Sequence, residues 1–332
     1  MRIIPKSRPP EPKLSSENNF AVSVQNLEKK FGSFTAVNKI NFAVNHGEIF
    51  GFLGPNGAGK STTIRMLCGI IPPTSGSGQV GGYDINKEQY KIKQHIGYMS
   101  QKFSLYDDLT VAENINFYSG IYKIPKSERK ERFEATIRTA GLEGMESNLT
   151  VTLAGGWKQR LALGCALLHK PRILFLDEPT SGADPLTRAN FWNVIKDLAS
   201  KGVTIFVTTH YMDEAENCHR MVLIYKGTII AQGTPEEMKT KNMKHEVLEI
   251  VLPNAQDWLD KIIKVEGVKE AALFGANIHT VVYDSAQAVP AIKGFLEQAN
   301  AAAFSVNKIL PSLEDVFVSS IENYDQSESK KA

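Results

Sequence analysis

The chain has 332 residues, enough for about two domains, and its 42% hydrophobic and 22% charged content is that of a soluble globular protein. Its formal charge of +2 is nearly neutral, so nothing calls for a nucleic-acid or anionic-membrane partner. No uninterrupted apolar run approaches about 18 residues and the start lacks a signal-peptide core, which argues against a membrane span; the three cysteines, Cys68, Cys165 and Cys218, lack C-x-x-C spacing and read as reduced packing residues of a cytosolic protein.

Residues 1–19 mix four prolines with charges and read as a flexible tail. A short buried strand is expected at 48–53 and a helix at 62–67. Between them lies Gly54-Pro55-Asn56-Gly57-Ala58-Gly59-Lys60-Ser61-Thr62, which fits G-x-x-x-x-G-K-[ST] in the strand–loop–helix setting that motif requires. Glycines let backbone N–H groups turn toward phosphate oxygens. Lys60 can reach the β- and γ-phosphates, the Ser61 hydroxyl can bind Mg²⁺, and the following helix aims its positive end at the anion.

Further on, Gln101 follows a short strand, and its amide can coordinate Mg²⁺ or orient water. Residues 103–155 carry few strand signals and read as a helical insertion, including a helix over Lys126–Ala140 whose interleaved charges suit a solvated face. At Leu153-Ala154-Gly155-Gly156-Trp157-Lys158-Gln159-Arg160 a glycine pair opens a Leu-rich helix. That makes a second anion-binding helix N-terminus with no ligand assigned within its own chain. The apolar strand 173–176 delivers Asp177 and Glu178 to its end, Asp177 to hold Mg²⁺ and Glu178 to act as general base on a water. The strand 203–208 places His210 at the same carboxyl edge of a parallel sheet, where it could bond a γ-phosphate.

Thr234-Pro235-Glu236-Glu237 is a capped helix start that closes the first domain near residue 240. Beyond it come strand 247–251, helix 255–265, strands 268–274 and 278–283, helix 286–299 and strand 304–310. This β-α-β-β-α-β order predicts a small ferredoxin-like α+β domain over 241–322, with a closing helix at 312–321 and a flexible tail at 323–332. The second domain shows no catalytic cluster and reads as regulatory or interface-forming.

Taken together these segments resemble the nucleotide-binding cassette of ATP-binding cassette (ABC) transporters, across all but the N-terminal tail. Residues 54–62 match the Walker A loop, 173–178 Walker B, Gln101 the Q-loop and His210 the switch histidine. Leu153–Arg160 resembles the family signature and Ser181-Gly182-Ala183-Asp184 the D-loop. Phe31 falls where the family stacks an aromatic ring on adenine. The Trp157 form of the signature, and residues 311–317, are similar to ATPase subunits of bacterial drug and polysaccharide exporters.

The resemblance implies an α/β P-loop NTPase fold, a mixed sheet with a helical subdomain at 103–155. It implies ATP and Mg²⁺ as cofactors, with Ser61, Gln101 and Asp177 at the metal. It also implies a second cassette, a homodimer or a related chain, whose Ala154, Gly155, Gly156, Trp157 and Asp184 complete the site in trans. A separate integral membrane permease would hold the chain at the cytoplasmic face of the membrane, with Phe103, Leu105 and Tyr106 as candidate contacts and core packing as their other reading. Import-type ATPases and ABC proteins acting on ribosomes or DNA are the alternatives. Two positions depart from the pattern: Ala154 stands where the signature usually has Ser, and Ala183 where the D-loop usually has Leu.

Overall fold

The computed structural model describes residues 20–102, 104–241 and 245–330. The expected tail at 1–19 and the candidate contact Phe103 lie outside them. The chain divides into two compact units that meet between Ile229 and Ile230, and each is described by itself.

The first unit holds two sheets. β1 (Phe20–Phe31), β2 (Phe34–Asn45), β4 (Ser75–Val80) and β5 (Tyr83–Asp84) form an antiparallel sheet in the order β2-β1-β4-β5. These first strands pair antiparallel, without crossover helices. Strands that alternate with helices form the second sheet. There β3 (Ile49–Leu53), β6 (Ile96–Met99), β7 (Ile173–Asp177), β8 (Thr204–Thr209) and β9 (Arg220–Tyr225), with β10 (Thr228–Gly233) at the edge, run in the order β10-β9-β3-β8-β7-β6. The pairs β3–β8, β3–β9, β6–β7 and β7–β8 are parallel. β3, β7 and β8 are buried along their whole length, as their continuous apolar runs require for strands covered on both faces.

Five phenylalanines join the two sheets. Phe42 of β2 lies 5.5–5.9 Å, centroid to centroid, from Phe50, Phe52 and Phe206, and Phe206 also meets Phe175 at 5.4 Å. Each buried ring contributes about 1.5–3 kcal/mol relative to exposure. This core fixes the carboxyl ends of β3, β7 and β8, from which the site is built.

α1 (Lys60–Leu67) and α2 (Gln89–His95) belong to this framework. The helical insertion contains α3 (Val111–Ile121), with a complete Thr110/Glu113 capping box, and α4 (Lys126–Ala140), which ends at the left-handed Gly141. α5 (Gly155–Leu167) packs with them around Ile115, Ile137, Leu142, Leu161 and Cys165. α6 (Pro185–Ser200) and α7 (Met212–Ala215) complete the unit. All three cysteines are buried, and burial pushes each thiol upward, so they are packing residues.

In the second unit, α8 (Pro235–Lys241) starts with the expected Thr234/Glu237 cap, each residue's backbone N–H donating to the other's side chain. It falls beyond the unit boundary, so it opens the second unit instead of closing the first. β11 (Glu246–Val251), α9 (Leu259–Ile262), β12 (Val268–Phe274), β13 (Asn277–Val282), α10 (Ser285–Gln298) and β14 (Ser305–Ile309) follow the expected β-α-β-β-α-β order, in an antiparallel sheet ordered β12-β13-β11-β14. The helix expected over 255–265 is only a 3-10 turn at Ala255–Asp257 followed by the four-residue α9. Asn254 enters this stretch in the left-handed conformation, which starts a turn and not a regular helix.

α11 (Leu313–Ser329) runs well past the expected end, so the segment from 323 to 329 is helix and not a tail. The apolar period stops near Ile321, while the Asp, Gln, Glu and Ser residues beyond it prolong a solvated helix. α11 is anchored through Asp315, whose carboxylate closes the Ser312 capping box and lies 3.2 Å from Nδ1 of the buried His279 on β13. Further along, Glu322 shares a hydrogen bond with Glu270 of β12; that bond, then burial, pushes the Glu322 carboxyl up to about 7.

A candidate nucleotide site in two separate halves

β3 ends in the glycine loop, and close packing explains two of its glycines. A Cβ at Gly54 would lie 2.2 Å from the Ile224 carbonyl oxygen. Gly59 has φ +111°, and a Cβ there would lie 2.5 Å from Ala36 O. The loop thus delivers Lys60 and Ser61 as the first residues of α1, at the positive end of its dipole.

Lys60 is buried. Its ammonium donates to Gly54 O at 2.8 Å and Pro55 O at 3.1 Å, and pairs with Glu178 Oε1 at 3.1 Å. Glu178, also buried, follows β7 with φ +49°, a left-handed conformation that costs a non-glycine residue and recurs at active sites. Its backbone N–H donates to Thr208 Oγ1 at 2.9 Å and to Thr208 O at 3.2 Å, so β8 holds the strained residue in place. The Glu178 Oε2 atom accepts from Gln101 Nε2 at 3.1 Å and lies 3.3 Å from His210 Nδ1, within ion-pair range but off the line of a hydrogen bond. A single carboxylate thus meets a lysine, a glutamine and a histidine from three other segments.

Asp177 sits one residue earlier. Its Oδ1 accepts from Ser61 Oγ at 3.1 Å and from Thr208 Oγ1 at 2.9 Å. Burial raises its carboxyl above the usual range, and the two hydroxyls only partly offset that. A buried carboxylate beside a serine hydroxyl is an oxygen donor pair of the kind Mg²⁺ takes, and a dication there would favour the ionised form that burial disfavours. Among the described residues, no three His, Cys, Asp or Glu side chains cluster as a metal cage. This suits a cation held by one or two protein oxygens with phosphates supplying the rest.

Phe31 is not part of this cluster. It lies half-exposed at the end of β1, paired across the hairpin with Phe34, with Lys29 Nζ 5.1 Å from its ring centre. The signature residues are elsewhere. Ala154 occupies the N-cap of α5 and makes no side-chain capping bond. A Cβ at Gly155 would touch nothing within 4 Å, while one at Gly156 would meet Thr187 Cγ2 at 3.1 Å. Ala154, Gly155, Gly156 and Trp157 line a cleft of about 500 Å³ together with Ser181, Gly182, Ala183 and Asp184. Arg160 stacks its guanidinium over the Trp157 ring at 5.1 Å. Asp184 caps α6, accepting from the backbone N–H of Leu186 and Thr187 at 3.0 Å, and the Thr187 hydroxyl heads the bonds that lower its carboxyl pKa.

Sequence reasoning overlooked Thr208, which braces both acidic residues, and a buried carboxylate at Glu214 beside the same strand ends. Thr208 was findable, as one of two hydroxyl residues that follow the apolar run Ile205–Val207. Glu214 had no comparable signal.

The fold and the glycine loop define a P-loop nucleotide-binding protein. A family model described as "ABC transporter" matches residues 37–181. The chain is 42% identical over 218 residues, 65% of its length and 70% of the relative's, to the linearmycin resistance ATP-binding protein LnrL of Bacillus subtilis. It is 52% identical over 225 residues to the probable multidrug ABC transporter ATP-binding protein YbhF of Escherichia coli; that match takes in 68% of the chain but only 39% of YbhF, so the chain spans about two fifths of that relative. A solved dimeric ATP-binding cassette in a post-hydrolysis state with ADP and Pi superposes with a TM-score of 0.59 at 27% identity, over 64% of this chain and 98% of that one. The chain belongs to the ABC transporter family of ATP-binding proteins.

Proposed function

We propose that the chain is the ATP-binding and ATP-hydrolysing subunit of a bacterial exporter, acting from the cytoplasmic face of the membrane through a separate permease. The observation that carries this reading is the Glu178 carboxylate held against Lys60, Gln101 and His210 at the mouth of the glycine loop. The relatives named for multidrug transport and linearmycin resistance favour export. No helix among the described residues is long and apolar enough to cross a membrane; the membrane-embedded permease is part of the proposal.

Loop glycines and the N-terminus of α1 bind the phosphates, and Lys60 turns from its carbonyl partners toward them. Ser61 and Asp177 would hold Mg²⁺, which supplies charge neutralisation at the phosphates when bound. Gln101 belongs to the same cluster and either completes that oxygen set or orients the water. Glu178 takes the proton of the attacking water, and His210 beside it holds the γ-phosphate side of the pocket. Phe31 offers a ring face to the base. The exposed N-terminus of α5, with Ala154, Gly155 and Gly156, closes over the nucleotide of a second cassette, identical or related, while Asp184 keeps the adjoining loop capped. Around the Gln101 segment, Tyr106 is exposed and edge-on to Phe117, while Leu105 is partly buried against the helical core, so Tyr106 is the better candidate for contact with the permease.

Phosphate release by the purified chain tests the reading. Release should require both ATP and Mg²⁺ and stop on chelation. No release with Mg²⁺ present, or undiminished release in excess chelator, would overturn it.

A further inference from the structure

We propose that Glu214 is a positioning residue for hydrolysis, tying the turn that carries Glu178 to the turn that carries His210. The inference rests on the hydrolytic reading above. Glu214 lies at the start of the short α7, and it is buried. Its Oε1 accepts from Thr180 Oγ1 at 2.5 Å and its Oε2 from Thr209 Oγ1 at 2.6 Å. Thr180 is two residues past Glu178 and Thr209 immediately precedes His210. Both hydroxyls are buried, so neither can exchange its bond for water.

A third segment joins the same carboxylate. Arg188 of α6 places Nε 3.7 Å from Glu214 Oε1, stacks on Tyr211 at 4.2 Å and pairs with Asp213 at 3.1 Å. Arg188 lies four residues beyond Asp184, the cap of that helix. Glu214 therefore joins the strand end bearing the base, the strand end bearing the histidine and the helix that follows the Ser181–Asp184 loop.

Two features make this more than packing. A buried charged carboxylate is costly unless fully bonded, and an apolar residue would fill the space at lower cost. Glu178 is held at φ +49°, and such strain persists only where neighbouring segments over-determine the backbone. The bond to Thr180 clamps the chain just beyond that point, as Thr208 clamps it at the Glu178 N–H. Neither clamp touches residues 54–62, which hold most of the phosphate contacts, so loosening Glu214 should misplace the base and the histidine and lower turnover far more than nucleotide affinity.

Steady-state phosphate release by the full chain, with melting temperature, tests this on Glu214→Gln and Thr209→Val. Glu214→Gln removes the charge and sets an amide against a hydroxyl; Thr209→Val removes, at similar volume, the donor to Glu214 and the acceptor of the Tyr211 N–H. Each should lower kcat about tenfold or more while KM for MgATP stays within about twofold and melting shifts by only a few degrees. If either variant fails to fold, the other decides. A kcat within about twofold of wild type, or kcat, KM and melting temperature all deteriorating together, would overturn the proposal. No release by the wild type itself would overturn the hydrolytic reading, and this inference with it.

Discussion

Two helix N-termini in the first unit carry the same backbone chemistry in opposite circumstances. At α1, the chain fills the surroundings of the terminus with its own side chains: Lys60 donates to Gly54 O at 2.8 Å and pairs with Glu178 at 3.1 Å, and Ser61 donates to Asp177 at 3.1 Å. At α5, the chain provides nothing: Ala154 gives no cap, Gly155 faces open space and a cleft of about 500 Å³ lies beyond. A helix terminus left bare costs its unsatisfied N–H groups their partners. The exposed N–H groups of α5 are left to solvent, which an incoming phosphate can replace. The contrast fits the proposal that the residues for hydrolysis gather at α1, while the α5 terminus, on a different surface, serves the nucleotide of another chain.

The largest predicted effect falls on the filled terminus. Glu178→Gln removes the base while keeping the size of the side chain. Turnover should drop about 10²–10⁴-fold with ATP binding retained and a closed dimer trapped, as read by phosphate release and gel filtration with ATP. Normal steady-state release would refute the role of Glu178.

Next comes the bare terminus. Gly155→Asp places a carboxylate where no atom of the chain lies within 4 Å of the new Cβ. A negative charge in the first helical turn should stabilise the chain itself by about 0.3–1 kcal/mol. It should also repel an incoming phosphate and lower turnover about a hundredfold. A stabilised protein with undiminished turnover would erase the distinction between the two termini.

Ala154→Ser should act in the opposite sense and more weakly. Its oxygen can cap α5, worth about 1 kcal/mol, and its proton remains free for a phosphate. Melting temperature should rise and turnover increase about tenfold, since a bond to a charged group is worth about 1.5–3 kcal/mol. An unchanged rate in the assembled transporter would show that Ala154 is no handicap.

The smallest effect concerns a third terminus, that of α11, which its own chain caps through Ser312 and Asp315, with His279 beside the Asp315 carboxylate. Burial opposes the charged form of His279, but the hydrogen bond and charge of Asp315, aided by Glu249, raise its pKa. A raised histidine stabilises the fold below its unfolded pKa, and that gain is lost as pH rises through the folded value. Glu322, raised to about 7 first by its bond to Glu270, acts in the same direction: its deprotonation disfavours the docked helix as pH rises from the ordinary carboxyl range through about 7. Melting of the second unit should therefore fall by a few degrees from pH 6 to pH 8, and His279→Ala should flatten the trend. A melting temperature that rises over this interval would contradict the assignment.

How much of this was legible in the sequence depends on how local each signal is. The glycine loop, the acidic strand end and the signature are contiguous motifs, and chain order was enough to place them. α4 was readable to its last residue because Gly141 supplies its left-handed cap. The Glu214 network was not legible, because Thr180 and Glu214 are 34 residues apart and each is an ordinary residue in its own window. The far end of α11 was missed because solvated helix and polar tail share a composition. The hairpin pairing of β1 and β2 was missed because their apolar residues come in short, interrupted groups that fit no single strand period.

The central claim is that each site is shared between two chains, and mixing tests it most directly. Glu178→Gln and Gly155→Asp should each be inactive alone. Combined before ATP is added, they form mixed dimers in which one site pairs an intact Glu178 with an intact Gly155, and phosphate release should return to about a quarter of the wild-type rate. A mixture as inactive as its components would contradict the account.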